Sequence, residues 1–112
     1  MTTRPLRLWT WSDIHAEWRE NAWDPAAHAP AGGFDVAVVA GDVHMPLTRS
    51  LDWLAERLLG VPVVYVPGNH DLYWDRGEER YTIYDQIERG RDRVSALGIH
   101  LLLDAAVVVG GM

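Results

Sequence analysis

Three apolar runs, each ended abruptly by a cluster of polar residues, constrain the fold of this chain more than any other feature. They occupy residues 6–11, 34–40 and 61–66. The nearly continuous apolar character of the second and third runs is typical of strands that are covered on both faces, as in parallel sheets. A predicted helix separates the second run from the third. The order of these elements predicts an α/β fold with right-handed crossovers.

Two helices are predicted from apolar periodicity. Over residues 46–59 leucines recur at i, i+4, i+7 and i+11 and form one apolar stripe. The second helix is predicted over 80–97, although Gly90 in its interior costs about 1 kcal/mol relative to Ala. Strands are also predicted over 99–103 and 106–109. These two are too close together for a helical crossover, so an antiparallel hairpin is expected.

The composition narrows the class of protein. A hydrophobic content of 48% and a charged content of 23% are ordinary for a globular domain. The length of 112 residues allows one domain at most, and the apolar ending Val-Val-Val-Gly-Gly-Met predicts that residues 1–112 form a single, truncated domain. A net charge of −6 argues against a large nucleic-acid interface, which needs a basic face.

The cellular location of the protein is predicted from the absence of cysteine, of a leader segment and of a membrane span in the sequence. It contains no Cys, which excludes disulfides, thiolate metal sites and a cysteine nucleophile. It shows no apolar leader segment at its start, and its apolar runs fall far short of the ~20 residues that span a bilayer. We therefore expect a cytoplasmic protein without a membrane partner.

The polar clusters follow the three predicted strands, at the carboxyl ends where open α/β sheets bind ligands. The candidate residues are Asp13 and His15 after the first strand, Asp42 after the second, and Asn69, His70 and Asp71 after the third. If the chain stays extended at Asp13 and His15, their side chains point to the same side. A carboxylate beside an imidazole suits Mn, Fe, Co or Zn better than Mg or Ca. Each cluster alone could be an ordinary turn, but their convergence predicts one metal site.

The order Asp-x-His, Gly-Asp and Gly-Asn-His-Asp, at this spacing, resembles the calcineurin-like metallophosphoesterases. The resemblance covers the whole chain and the N-terminal half of the family's domain. It implies an α/β sandwich of two β-sheets flanked by helices, of which this chain would hold a mainly parallel sheet. It also implies hydrolysis of small phosphomonoesters or phosphodiesters by a site with two divalent metal ions.

The resemblance assigns a role to each candidate residue. It implies that Asp13 and His15 ligate the first metal, that Asp42 bridges both metals and that Asn69 ligates the second. It implies that His70 lies near the phosphate as a general acid or charge stabiliser. Asp71 would then hold the His70 ring.

The chain departs from the family pattern in its remaining histidines. The family completes its site with histidines in a Gly-His and a Gly-His-x-His segment, whereas His28, His44 and His100 do not follow a glycine. We expect His28 to be a solvated loop residue, His44 to serve the helix entry or to lie beside the ligands, and His100 to be structural. The isolated chain is therefore predicted to be weakly active or inactive.

Two alternatives stay open at this point. The chain could be a non-catalytic module, derived from a phosphoesterase domain, that binds a metal or a partner through exposed apolar surface. A small flavodoxin-like binding domain is disfavoured, because the segment 12–15 after the first strand has no glycine with which to cradle a phosphate. The sequence does not determine the oligomeric state, the metal or the phosphoester.

Overall fold

The computed structural model describes residues 5–16, 23–58, 60–72 and 82–103. Its strands are β1 (Leu8–Trp11), β2 (Val36–Val39), β3 (Val63–Tyr65) and β4 (Ile99–Leu101), and its helices are α1 (Pro25–His28), α2 (Leu47–Arg57) and α3 (Ile83–Leu97), with a 3₁₀ turn at His70–Leu72. The strands form one parallel sheet in the order β1-β2-β3-β4. The predicted α/β class with a mainly parallel sheet is confirmed.

The elements differ from the predicted ones mainly at their ends. All four strands are shorter than predicted, and α2 begins one residue later, with Pro46 as its N-terminal cap residue. The short helix α1, which lies in the long connection before β2, was not predicted from the sequence. It is capped by Asp24, whose carboxylate accepts a hydrogen bond from the Ala26 N–H at 3.0 Å. The predicted strand 106–109 and its hairpin lie outside the described residues.

The core lies between the sheet and the leucine stripe of α2. Leu51 and Leu54 are fully buried and pack with Val39 and Tyr65 of the sheet. The stripe predicted from leucine periodicity is therefore the buried face of α2. Within the described residues, no helix is long and apolar enough to cross a membrane.

Gly90 has a packing role in α3. A Cβ atom built at this position would lie 2.7 Å from Leu47 Cδ2 and 3.3 Å from Leu101 Cδ2. The glycine therefore allows α3 to approach α2 and β4 closely. This close approach explains why a residue with poor helix propensity occupies a helix interior.

The parallel sheet brings three connecting segments to one edge. The segment after β1 runs beside the segment after β2, because Asp13 N–H donates to the Gly41 carbonyl at 3.0 Å and His15 N–H donates to the Asp42 carbonyl at 3.0 Å. At the end of β3, the Val66 N–H donates to the Val39 carbonyl at 3.0 Å. The carboxyl ends of β1, β2 and β3 thus meet at a single location.

Candidate metal centre

The first two segments bring three potential metal ligands together. Asp13, His15 and Asp42 each offer one ligand atom, and these atoms all lie within 4.8 Å of one another. His15 Nε2 is 3.7 Å from Asp13 Oδ1. Two carboxylates and an imidazole at this separation form a donor set that fits a borderline divalent ion.

The backbone reaches this arrangement through left-handed conformations. The φ angles are 58° at Asp13, 49° at His15 and 57° at Asp42. The extended backbone considered for Asp13 and His15 is therefore absent. Their N–H groups still bond to the segment after β2, at the Gly41 and Asp42 carbonyls. Left-handed conformations cost of order 1–3 kcal/mol each outside glycine and persist where the surrounding structure holds them.

The third segment joins the other two through His70. Its N–H donates to Asp42 Oδ1 at 2.9 Å, and its ring meets the His15 ring edge to face, with 4.6 Å between the centroids. Asn69 precedes His70 and is exposed in the same turn. The structure thus places His70 beside the group of three ligands, with Asn69 next to it along the chain.

Two glycines allow the second and third segments to touch. A Cβ atom on Gly41 would lie 2.5 Å from the Gly68 nitrogen, and one on Gly68 would overlap the Asp42 carboxylate. Gly41 also has a φ of 77°, a conformation that glycine adopts without strain. The Gly-Asp and Gly-Asn-His-Asp clusters therefore need their glycines for backbone contact.

Asp71 is the hydrogen-bonding centre beneath the site and is fully buried. Its Oδ2 accepts bonds from the N–H groups of Asp42 at 2.9 Å and Gly68 at 2.6 Å. Its Oδ1 accepts bonds from Ser50 Oγ at 2.5 Å and from the Tyr65 hydroxyl. These four donors link the segment after β2, the segment after β3, α2 and β3. The role predicted for Asp71 in holding His70 stays a prediction.

Ser50 and Tyr65 were not among the candidate residues predicted from the sequence. Ser50 lies among the leucines on the buried face of α2, and Tyr65 ends an otherwise aliphatic strand. A buried hydroxyl needs a hydrogen-bond partner, so either residue could have indicated a polar group nearby. Sequence spacing could not show that both hydroxyls reach the same carboxylate.

The three remaining histidines lie elsewhere. The His28 ring stacks on Trp23 with 5.4 Å between the centroids, on α1 and not in an unstructured loop. His44 precedes α2, as expected, and its N–H donates to Ser50 Oγ at 3.1 Å. His100 lines a cavity of 510 Å³ at the amino ends of β3 and β4. Among the described residues, none of these three belongs to the group formed by Asp13, His15 and Asp42.

The two carboxyl groups of the site have pKa values that shift in opposite directions. The pKa of Asp42 is raised, mainly by burial. A hydrogen bond to Asp13 and the negative charge of Asp71 raise it further. The pKa of Asp13 is lowered, mainly by a hydrogen bond from Ser12. The hydrogen bond to Asp42 and the charge interaction with His15 lower it further. The opposite shifts therefore favour Asp42 over Asp13 as the carboxyl that carries a proton shared by the pair.

This pair predicts a pH-dependent stability for the metal-free chain. Because the pKa of Asp42 is raised on folding, its contribution to stability is complete when the pH is below the ordinary pKa of 3.8. This contribution is lost as the pH rises through the raised pKa. Asn at position 42 keeps an oxygen for the His70 N–H and supplies a permanent donor to Asp13. We expect Asp42→Asn to remove that decline, so that in EDTA at pH 7 the variant is more stable than the wild type.

Urea unfolding between pH 3.5 and 7 in EDTA measures this effect. Asp92→Asn serves as the control, because Asp92 is exposed on α3. Its pH profile should match that of the wild type. Parallel profiles for the wild type and Asp42→Asn would contradict the shared proton.

Comparison with known proteins gives one family and one related structure. The family model for calcineurin-like phosphoesterases matches residues 6–109. The chain is similar to the crystal structure of the phosphopantetheinyl hydrolase from Mycobacterium tuberculosis, with a TM-score of 0.63 and 25% sequence identity. The similarity covers 85% of this chain and 34% of that chain, so this chain spans about a third of that protein. No curated protein matches the chain.

Proposed function

The chain belongs to the calcineurin-like phosphoesterase family, and from this premise we propose that it carries part of the site of a metal-dependent phosphoester hydrolase. The observation that carries the proposal is the convergence of Asp13, His15 and Asp42 within 4.8 Å. These three residues come from two different strand ends, and a backbone bond from His70 ties the third strand end to them. A site assembled from three segments at one sheet edge suits a ligand held between them.

Each residue has a proposed role in binding. Asp13 and His15 would hold a first ion, and the two oxygens of Asp42 allow it to face a second ion as well. Asn69 would offer an amide oxygen to that second ion. Ions such as Mn, Fe, Zn or Co would supply an activated water and would polarise the phosphoryl group.

His70 is proposed to act on the substrate and not on a metal. Its ring lies against the His15 ring, with 4.6 Å between the centroids, and its backbone is fixed by Asp42. From this position it could donate a hydrogen bond to a phosphoryl oxygen or a proton to the leaving group. The proposed substrate is a small phosphomonoester or phosphodiester, because the net charge of −6 gives no support to a nucleic-acid interface.

The two proposed ion sites differ in their number of protein ligands. The first ion would have three protein ligands, whereas the second would keep only Asp42 and Asn69. Two ligands hold an ion weakly, and two-metal hydrolysis needs both ions in place. We therefore expect the 112-residue chain to bind one ion firmly and to turn over phosphoesters slowly or not at all.

Calorimetric titration of the metal-free chain with Mn²⁺ tests the ion site. We expect one firmly bound ion per chain and a loss of affinity of at least about 100-fold in Asp42→Asn, since even residues that only orient ligands cost 10–100-fold. Glu88→Gln is the matched control, because Glu88 is an exposed carboxylate on α3. Absence of Mn²⁺ uptake, or uptake that Asp42→Asn leaves intact, would contradict the proposed function.

A second titration separates a phosphoesterase site from a plain metal-binding module. Inorganic phosphate should bind to the Mn²⁺-loaded chain and not to the chain in EDTA, and His70→Ala should weaken this binding without changing Mn²⁺ uptake. Equal phosphate binding with and without Mn²⁺ would favour the non-catalytic module. Rapid Mn²⁺-dependent hydrolysis of p-nitrophenyl phosphate or bis-p-nitrophenyl phosphate would show that three ligands suffice.

A further inference from the structure

We propose that Ser50 and Tyr65 are positioning residues for the metal site, acting through Asp71. The inference rests on the proposed function, because the residue that they position is the proposed bridging ligand Asp42. Ser50 belongs to α2 and Tyr65 to β3, so neither is part of the polar clusters that follow the strands.

The hydroxyls of Ser50 and Tyr65 contact the buried carboxylate of Asp71. Ser50 Oγ lies 2.5 Å from Asp71 Oδ1, and the Tyr65 hydroxyl donates to the same oxygen. All three side chains are fully buried. Burial, together with the charge and hydrogen bond of Asp71, raises the pKa of Tyr65 far above its ordinary value, so its hydroxyl stays neutral and remains a donor.

Asp71 is in turn hydrogen-bonded to the proposed ligand Asp42. Asp71 Oδ2 accepts the Asp42 N–H at 2.9 Å, and Asp42 Oδ1 in turn accepts the His70 N–H at 2.9 Å. The segment after β2 and the segment after β3 are therefore joined by two hydrogen bonds, and in each bond a backbone N–H of one segment donates to a carboxylate of the other. This reciprocal pair maintains Asp42 at a φ of 57°, where a non-glycine residue needs support.

The two hydroxyls also contact the segment that carries Asp42. The Val43 N–H lies 3.4 Å from the Tyr65 hydroxyl oxygen, and the His44 N–H donates to Ser50 Oγ at 3.1 Å. Three successive residues, 42–44, thus have their N–H groups bonded to Asp71, Tyr65 and Ser50. The side chains of α2 and β3 thereby set the position of the backbone behind the proposed ligand.

Tyr65→Phe and Ser50→Ala test the inference, because each removes one hydroxyl and keeps the carbon atoms of the side chain. We expect the Mn²⁺ dissociation constant to rise about 10- to 100-fold in each variant, as for other residues that orient metal ligands. The visible absorption spectrum of the Co²⁺-loaded chain should also change, because the ligand geometry changes. Tyr84→Phe is the control, since Tyr84 is 84% exposed, and it should leave both readouts unchanged.

Amide hydrogen exchange without metal reports on the positioning directly. In either variant, the N–H groups of Asp42 and Gly68 should exchange roughly fivefold faster or more, while those in the centre of α3 keep their wild-type rates. A purely structural role would instead lower global stability and speed exchange throughout, with unchanged Mn²⁺ affinity and Co²⁺ spectrum. That outcome would overturn the inference.

The two proposals fail in different ways. A wild-type chain that takes up no Mn²⁺ contradicts the proposed function, and the exchange rates at Asp42 and Gly68 still decide whether the hydroxyls hold the two segments. If Tyr65→Phe does not fold, Ser50→Ala decides the inference alone. Mn²⁺ uptake at wild-type affinity and unchanged exchange at Asp42 in a folded Ser50→Ala chain would refute it.

Discussion

Asp71→Ala should lower the free energy of unfolding by about 3–5 kcal/mol and abolish Mn²⁺ uptake. The substitution removes the acceptor of four hydrogen bonds, and a buried donor without a partner costs about 1–3 kcal/mol. Removal of a buried charge offsets part of that sum. Since a domain is typically stable by about 5–15 kcal/mol, the loss is a large fraction of the total.

Urea unfolding and Mn²⁺ titration measure the two parts of this effect. Asp71→Asn is expected to be nearly as damaging, because it turns one acceptor into a donor and one side-chain oxygen cannot serve all four donors. Asp92→Ala is the control for the loss of a carboxylate, because Asp92 is exposed, and it should change stability by less than about 0.5 kcal/mol. A loss below about 1 kcal/mol in Asp71→Ala, with normal Mn²⁺ uptake, would contradict the role of Asp71 as the hydrogen-bonding centre.

Gly41→Ala should be far more damaging than Gly60→Ala, which provides a matched control. The two glycines have nearly the same φ, 77° and 75°. A Cβ atom on Gly60 would have no heavy atom within 4 Å, whereas a Cβ atom on Gly41 would lie 2.5 Å from the Gly68 nitrogen. The comparison therefore separates the cost of a left-handed conformation from the cost of steric overlap.

We expect Gly60→Ala to cost about 1–2 kcal/mol of stability, the price of a left-handed Ala. Gly41→Ala should cost at least about 2 kcal/mol more, because backbone atoms have to move apart. It should also weaken Mn²⁺ binding strongly, since separation of the two segments displaces Asp42, whereas Gly60→Ala should bind Mn²⁺ like the wild type. Equal stability losses in the two variants would show that the segments can separate without cost.

Much of the fold is predictable because hydrophobic burial leaves a periodic signal in the sequence. The leucines of α2 recur with helical spacing, and they are the residues that pack on the sheet. The short helix α1 left no such signal, because four residues are too few to show a period. Its start depends on one cap, Asp24, and on Pro25 at its first position.

The residues of the candidate site were also predictable, but their backbone geometry was not. Asp13, His15 and Asp42 could be selected because polar residues that end apolar runs gather at one edge of a parallel sheet. Their left-handed conformations come from bonds between segments that are distant in sequence, such as the bond from the Asp13 N–H to the Gly41 carbonyl. Local sequence contains no information about such a bond.

The sequence by itself determined the α/β class, the strand ends that carry the polar clusters and the residue types able to bind a metal. Those properties follow from local composition and from the period of apolar residues. Only the tertiary structure decided that Asp71 lies buried beneath the site and that Ser50 and Tyr65 donate to it. The physical reason is that a buried carboxylate requires donors, and only folding determines which elements bring donors within hydrogen-bond distance.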